Sequence, residues 1–337
     1  MSGTDTALLE IRDLSVAVGT DEGTASILDG VNLRLTPGSI HGVVGESGCG
    51  KSTLIKAILG LLPARGRATE GSITLQGRAL LAAGQKSAAQ SARGRDIGFI
   101  PQDPLLALNP VFRVGDQLRE AMWQYGMSAD DPQRNQPRAV RRRVYDQRLV
   151  ELLRAVQLPD PEQALQRYPH QFSGGQRQRL LIAAALACGP QIVLADEPTT
   201  ALDVTTQLQI LKLLRQLARE RGLSMLFVTH DFGVVAQLCD TVTVMYAGQT
   251  IESGPVAATM SNPRHPYTRM LLACHPERSQ ELKGIPGAVP SPLRAPSGCR
   301  FHPRCPEMVA DCQRARPEAV SGAARMVACV HCHEVAA

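Results

Sequence analysis

The sequence predicts an α/β fold, a largely parallel sheet with helices on both faces and a phosphate-binding loop at the end of one strand. Three observations carry this. Short Val- and Ile-rich runs recur from the N-terminus to Gly254, with helical patterns between most of them, as strand–helix–strand units require. One run passes directly into Gly45-Glu-Ser-Gly-Cys-Gly-Lys-Ser-Thr53 and then into the helical stretch LIKAILGLL. Another, Ile192 to Ala195, ends in two acids, Asp196 and Glu197.

In chain order, Leu8 to Val18 and Ile27 to Leu35 read as antiparallel strands joined by a Gly/Asp/Glu/Thr turn. Buried strands are expected at Ile40 to Val44, Ile97 to Ile100, Ile192 to Ala195, Met225 to Thr229 and Val242 to Tyr246. A mostly helical insert occupies about 110–180, clearest from Val114 to Leu158. There Leu149, Leu152, Leu153 and Val156 fall at helical spacing and predict a core-facing stripe. Arg138-Ala-Val-Arg-Arg-Arg143 reads as a solvated helix face. After Gly254 prolines become frequent and periodicity fades. The expected division is a nucleotide-binding domain over 1–255 and an extension over 256–337.

Composition narrows the function. Of 337 residues, 44% are hydrophobic and 20% charged, and the net charge is +5. That is an ordinary globular balance and too mildly basic to argue for a nucleic-acid partner. The longest apolar run, Leu180 to Cys188, falls well short of the about 20 residues a membrane-spanning helix needs. MSGTDTALLEIRD has no basic region leading into an apolar stretch, so no secretory signal is expected. In a cytoplasmic setting the nine cysteines stay reduced.

The loop Gly45–Thr53 fits G-x-x-x-x-G-K-[ST] in its required context of strand, loop and helix. Gly45, Gly48 and Gly50 let the backbone N–H groups of Ser47, Cys49 and their neighbours face inward around phosphates. The new helix turns its positive end toward them. Lys51 can reach the β- and γ-phosphates, and the Ser52 hydroxyl can bind Mg²⁺, with Thr53 closing the motif. Asp196 would hold the same Mg²⁺, directly or through water. Glu197, one residue further on, could polarise an attacking water.

Phe172-Ser-Gly-Gly-Gln176 precedes the helical run QRQRLLIAAALA and makes a second helix N-terminus suited to a phosphate. One nucleotide does not need two such cradles. Ser173, Gly174, Gly175 and Gln176 are therefore expected to complete the site of a partner subunit. Here the sequence resembles an ATP-binding cassette (ABC) subunit of a transporter, whose signature LSGGQ closes over ATP held by the other subunit. The resemblance implies a RecA-like core with an antiparallel β subdomain and a helical subdomain. It further implies that Gln102 in IPQDP senses the magnesium and the attacking water, that Asp203 in Ala201-Leu-Asp203 lies in the interface loop, and that His230 is the switch histidine at the γ-phosphate. One family feature is missing: the aromatic that stacks on adenine is Val18 here. Base–aromatic stacking is worth on the order of 1–3 kcal/mol, so aliphatic contact and modest affinity are expected.

Asp103-Pro-Leu-Leu-Ala-Leu-Asn-Pro110, Tyr168 to Gly175 and Asn262-Pro-Arg-His-Pro-Tyr-Thr268 resemble the peptide and nickel uptake branch, most closely dipeptide and oligopeptide importers. That implies a second, different cassette subunit, two permeases, an extracytoplasmic binding protein, and a peripheral position on the cytoplasmic face of the plasma membrane. The same role for nickel or glutathione, or a soluble ABC ATPase in repair or translation, are the alternatives. A single cassette with a short insert speaks against the soluble ones.

Five of the nine cysteines lie between Cys299 and Cys332. Four clustered thiols suggest a metal, although the paired C-x₂-C knuckles of zinc ribbons are lacking. The resemblance implies a 4Fe–4S cluster on Cys299, Cys305, Cys312 and Cys329. Zinc, using Cys332 with His331 or His333, and thiols that merely pack remain open. The proline-rich segment carries too little apolar content to order itself by burial alone. Cys49, Cys188, Cys239 and Cys274 read as small packing residues.

Overall fold

The computed structural model describes residues 7–125, 136–274, 284–322 and 325–332. They fall into two compact units, 1–90 with 227–337 and 91–226.

The first unit begins with a hairpin of β1 (Leu9–Thr20) and β2 (Gly23–Leu35), antiparallel with Val18 opposite Ala25. β3 (Ile40–Val44) is buried at every position and leads through the glycine loop into α1 (Lys51–Leu59). β4 (Gly66–Leu75) and β5 (Arg78–Ala82) then complete an antiparallel sheet ordered β2-β1-β4-β5. The hairpin was legible in the sequence, but β4 and β5 were not. β4, GRATEGSITL, buries only Ala68, Ile73 and Leu75. Its strand character comes from pairing along β1 rather than from its own composition.

The second unit holds β6 (Ile97–Ile100), α2 (Pro104–Ala107), α3 (Val114–Tyr125), α4 (Arg138–Ala155), α5 (Pro161–Ala164) and α6 (Gly174–Leu186). β7 (Ile192–Asp196) and α7 (Val204–Arg221) follow. β6 and β7 pair in parallel, Ile97 with Ile192 and Ile100 with Ala195. Leu149, Leu152, Leu153 and Val156 are all buried, as the helical spacing requires. Each buried leucine contributes roughly 1.5–3 kcal/mol relative to exposure, so this stripe holds α4, while Arg138, Arg142 and Arg143 are exposed. The buried Arg119 joins α3 to α4, donating to Asp116 at 2.7 Å and Asp146 at 2.9 Å. α6 comes so close to β6 that a Cβ on Gly98 would stand 2.3 Å from the Ala185 carbonyl oxygen.

The division between the units falls within β8 (Ser224–Thr229), a strand buried throughout. Back in the first unit come α8 (Phe232–Leu238), β9 (Thr241–Tyr246), β10 (Gln249–Pro255), α9 (Val256–Ser261) and α10 (Pro266–Ala273). β9 pairs in parallel with β3, His41 with Thr241 and Val44 with Val244. The extension ends in α11 (Asp311–Arg314), β11 (Val320–Ser321) and β12 (Met326–Val327). β12 adds to the edge of β10, Val327 opposite Glu252, and β11 adds to β12.

Glu252 is fully buried yet fully engaged. It accepts the backbone N–H groups of Arg264 and His265, each at 3.0 Å, and an Arg325 N–H at 2.8 Å. A buried carboxylate is tolerated on such terms. Phe301 packs edge-on to Tyr246 and Tyr267, with centroids 5.0 and 5.3 Å away. The extension therefore has an aromatic core that its proline-rich composition did not announce. No helix among the described residues is long and apolar enough to cross a membrane.

Candidate nucleotide site

The phosphate loop is shaped by contacts that exclude side chains. A Cβ at Gly45 would lie 2.2 Å from the Met245 carbonyl oxygen. Gly50, the N-cap of α1, has φ 100°, and a Cβ there would meet Leu28 Cδ2 at 2.7 Å. Only glycine suits either position. The loop is braced from behind: the Cys49 carbonyl accepts from Gly248 N, and the Gly248 carbonyl from Asp29 N, both at 2.9 Å. α1 starts at Gly50 without a side-chain cap, and a helix N-terminus of this kind suits an anion.

Lys51 is buried and spans the loop. Its Nζ donates to the Gly45 carbonyl at 2.7 Å and the Glu46 carbonyl at 3.1 Å, and lies 3.8 Å from Cys49 Sγ. Burial raises the Cys49 thiol pKa, against the lowering effect of the Lys51 charge. Ser47, Gly48 and Ser52 are exposed at the mouth, and Thr53 is half-buried.

In the second unit, Asp196 closes β7 and is buried. Glu197 follows with φ 46°, a left-handed backbone angle. Its Oε2 accepts from Thr200 Oγ1 at 3.1 Å and from Gln102 Nε2 at 3.4 Å. The parallel register of β6 and β7 explains the meeting, since Ile100 stands opposite Ala195. Two residues read independently from the sequence are thus brought together.

Ser173 and Gln176 form a reciprocal cap on α6. Ser173 Oγ accepts from Gln176 N at 3.3 Å, and Gln176 Oε1 accepts from Ser173 N at 3.0 Å. Ser173 and Gly174 are exposed, so this helix start faces solvent. Gly175 admits α7, because a Cβ there would touch Thr206 Cγ2 at 2.7 Å. Asp203 caps α7, accepting from Thr206 N at 2.9 Å and Thr206 Oγ1 at 2.7 Å. Those hydrogen bonds lower its pKa. His230 is exposed directly after β8, and Asp231 caps α8 through Gly233 N at 2.6 Å. Val18 is half-buried on β1.

In the extension, Cys299, Cys312 and Cys329 are buried and Cys305 and Cys332 half-buried. Cys299 N donates to the Cys312 carbonyl at 2.9 Å. Burial raises the Cys299 thiol pKa, and the neighbouring Cys312 and Cys305 raise it further. Burial likewise pushes Cys329 up to about 12. Among the described residues no group of three or more His, Cys, Asp or Glu is placed to hold a metal. His333 lies outside the described residues.

Two side chains that the sequence did not assign reach the phosphate loop. The Tyr267 hydroxyl accepts from Glu46 N at 2.9 Å, and Arg304 grips the Glu46 carboxylate. Tyr267 stood in the His-Pro-Tyr segment, but nothing in a linear reading connects it or Arg304 to residue 46.

The ABC transporter family matches residues 28–200, and the family described as the oligopeptide/dipeptide transporter C-terminal region matches 251–312. The ATP-binding cassette MJ0796, solved as a dimer in a post-hydrolysis state bound to ADP and Pi, is 27% identical. It covers 74% of this chain and 98% of its own with a TM-score of 0.61. The chain belongs to the ABC transporter family as an ATP-binding subunit. The oligopeptide transport ATP-binding protein OppD of Salmonella typhimurium is 42% identical over 96% of this chain and 93% of its own length. The dipeptide transport ATP-binding protein DppD of Bacillus subtilis is 42% identical over 92% and 90%. Within the family this chain stands in the oligopeptide/dipeptide branch.

Proposed function

We propose that this chain hydrolyses ATP to power uptake of di- and oligopeptides, working on the cytoplasmic face of the plasma membrane. It forms a cassette dimer with a second, different ATPase subunit on two permeases, which an extracytoplasmic binding protein supplies. The observation that carries the reading is the glycine-shaped loop with Lys51 spanning its mouth. Arriving phosphate oxygens replace the Gly45 and Glu46 carbonyls as partners of Lys51, and the uncapped start of α1 supplies further N–H groups.

Ser52, Gln102 and Asp196 are oxygen donors suited to Mg²⁺, which when bound neutralises charge on the phosphates. Glu197, held by Thr200 and Gln102, orients a water toward the γ-phosphorus and takes its proton as the bond to ADP breaks. His230 contacts the γ-phosphate. Ser173 to Gln176 serve the partner's ATP through the exposed start of α6, and Asp203 lies in the dimer interface. Leu105, Leu106, Val111 and Phe112 are exposed at 62%, 86%, 70% and 55% just beyond Gln102. Large apolar side chains exposed in this way suit a permease contact that carries the motion of closure.

The test is reconstitution. ATPase rate should rise sharply when the second cassette and the permeases are added, and full activity from a strictly monomeric chain would overturn the dimer. Peptide binding by the cognate binding protein tests the cargo, with nickel or glutathione binding there pointing to the alternatives.

The 4Fe–4S reading of the tail is a separate proposition. The thiols are of the right chemistry and near enough to raise one another's pKa, but as placed they do not form a ligating set. No step of hydrolysis runs through it. Iron and sulfide analysis after anaerobic purification decides the matter: about four of each per chain supports the cluster, and one zinc replaces it.

A further inference from the structure

We propose that Arg304 is a positioning residue for the phosphate loop: paired with Glu46, it fixes the loop in its ATP-binding shape and makes nucleotide affinity depend on the docked extension. The proposal rests on the nucleotide reading above.

Glu46 is held at three points. Its N–H donates to the Tyr267 hydroxyl at 2.9 Å, its carbonyl accepts from Lys51 at 3.1 Å, and its carboxylate meets the guanidinium of Arg304. That pair is bidentate, Nη1 to Oε2 at 2.8 Å and Nη2 to Oε1 at 3.1 Å. The rest of the guanidinium is equally committed. Nε donates to the Pro286 carbonyl at 2.8 Å, Nη2 to the Ile285 carbonyl at 3.0 Å, and Nη1 to the Tyr246 hydroxyl at 3.2 Å. Every N–H of the fork therefore has a partner, and the side chain is 3% exposed. A buried, fully bonded fork has one orientation available, so it can set the position of what it grips.

The chemistry explains why a pair is needed. Glu46 adjoins Gly45 in a loop built to receive phosphates, where a bare carboxylate repels the ligand. Arg304 neutralises that charge while holding the loop. The same segment braces the loop from behind. Arg300, four residues earlier, donates to the Ala247 carbonyl and to Ser26 Oγ at 2.9 Å, and Ala247 precedes the Gly248 that supports Cys49. Cys299 and Cys305 directly flank these two arginines.

The experiment is a double-mutant cycle on the full chain, read as the Kd of a fluorescent Mg-ATP analogue. Arg304→Gln should raise Kd roughly tenfold, the scale of one charge-assisted bidentate pair. Glu46→Gln should raise it less, because no unpaired charge is left beside the phosphates. The double variant should return to within about threefold of the parent. In the reconstituted transporter Arg304→Gln should raise KM for ATP and leave kcat nearly unchanged, a split that general loss of folded protein does not produce. An Arg304→Gln Kd within twofold of the parent, or a double variant no better than Arg304→Gln, overturns the proposal. Should Arg304→Gln fail to melt cooperatively, Arg304→Lys takes its place; parent-like affinity in Arg304→Lys and in Glu46→Gln would equally overturn it, and a weakened Arg304→Lys supports it. A parent that does not bind Mg-ATP removes the nucleotide reading itself, whereas a binding parent with unmoved variants removes only the role of Arg304.

Discussion

Glu197 holds a backbone angle, φ 46°, that costs a residue with a Cβ on the order of 1–3 kcal/mol and persists where the surroundings enforce it. The strain presents its carboxylate to Thr200 and Gln102. Glu197→Gln should keep Mg-ATP binding and lower phosphate release by the assembled transporter by roughly 10²–10⁴-fold, the range of a general base. Steady-state hydrolysis at the parent rate would remove Glu197 from that role. Gly45→Ala makes a different prediction. The added carbon must enter space 2.2 Å from the Met245 carbonyl oxygen, and overpacking of this kind costs about 1–3 kcal/mol. The variant should melt lower and lose nucleotide binding, which differential scanning fluorimetry with and without Mg-ATP can separate. At this scale the sequence named Gln102 and Glu197 separately; their contact needed the register of two parallel strands.

The cap on α6 serves one helix and, as proposed, a neighbouring subunit. Ser173→Ala removes the Ser173 Oγ half of the reciprocal cap and should cost about 1 kcal/mol, seen as a small fall in melting temperature with this chain's own ATP affinity intact. Ser173→Arg should add a block on the partner's site, so the assembled ATPase falls while Mg-ATP binding to the isolated chain does not; unchanged assembled activity would count against the shared site. The elements themselves were unevenly legible. β3, β6, β7 and α4 announce themselves because burial on both faces, or along one stripe, leaves a pattern in the residues. β4 and β5 leave none, being strands by virtue of β1 beside them. The extension hid its order for a related reason. Phe301 is one aromatic in a proline-rich stretch, and its partners Tyr246 and Tyr267 lie in other parts of the chain.

Two buried histidines tie the stability of the whole molecule to pH. His41, between the Thr241 and Thr243 hydroxyls at 2.7 and 2.8 Å, has its pKa lowered by burial to about 4. His265, which caps α10 by accepting from Tyr267 N at 3.1 Å, is lowered to about 3 by burial and by the charge of Arg269. Both are neutral when folded, so below the unfolded value of about 6.5 the unfolded chain takes up more protons. Their stabilisation is complete above that pH and drains away as pH falls toward 4 and then 3. Each should contribute a slope of about 1.4 kcal/mol per pH unit there, and His41→Gln should flatten the acid limb of denaturant-measured stability; an unchanged limb would show that His41 titrates normally. The separation of Glu46 from Arg304 by 258 residues carries another consequence, one of time. The first unit is interrupted by residues 91–226, so a ribosome finishes Gly45 to Thr53 long before it makes β9, the parallel partner of β3, or the arginine that grips the loop. At about 5–20 residues per second the nascent loop waits roughly 13–50 s for Arg304. For most of that interval, until β9 (Thr241–Tyr246) emerges, β3 lacks its parallel partner, and the newborn subunit is a natural client for chaperones and an easy target for proteases.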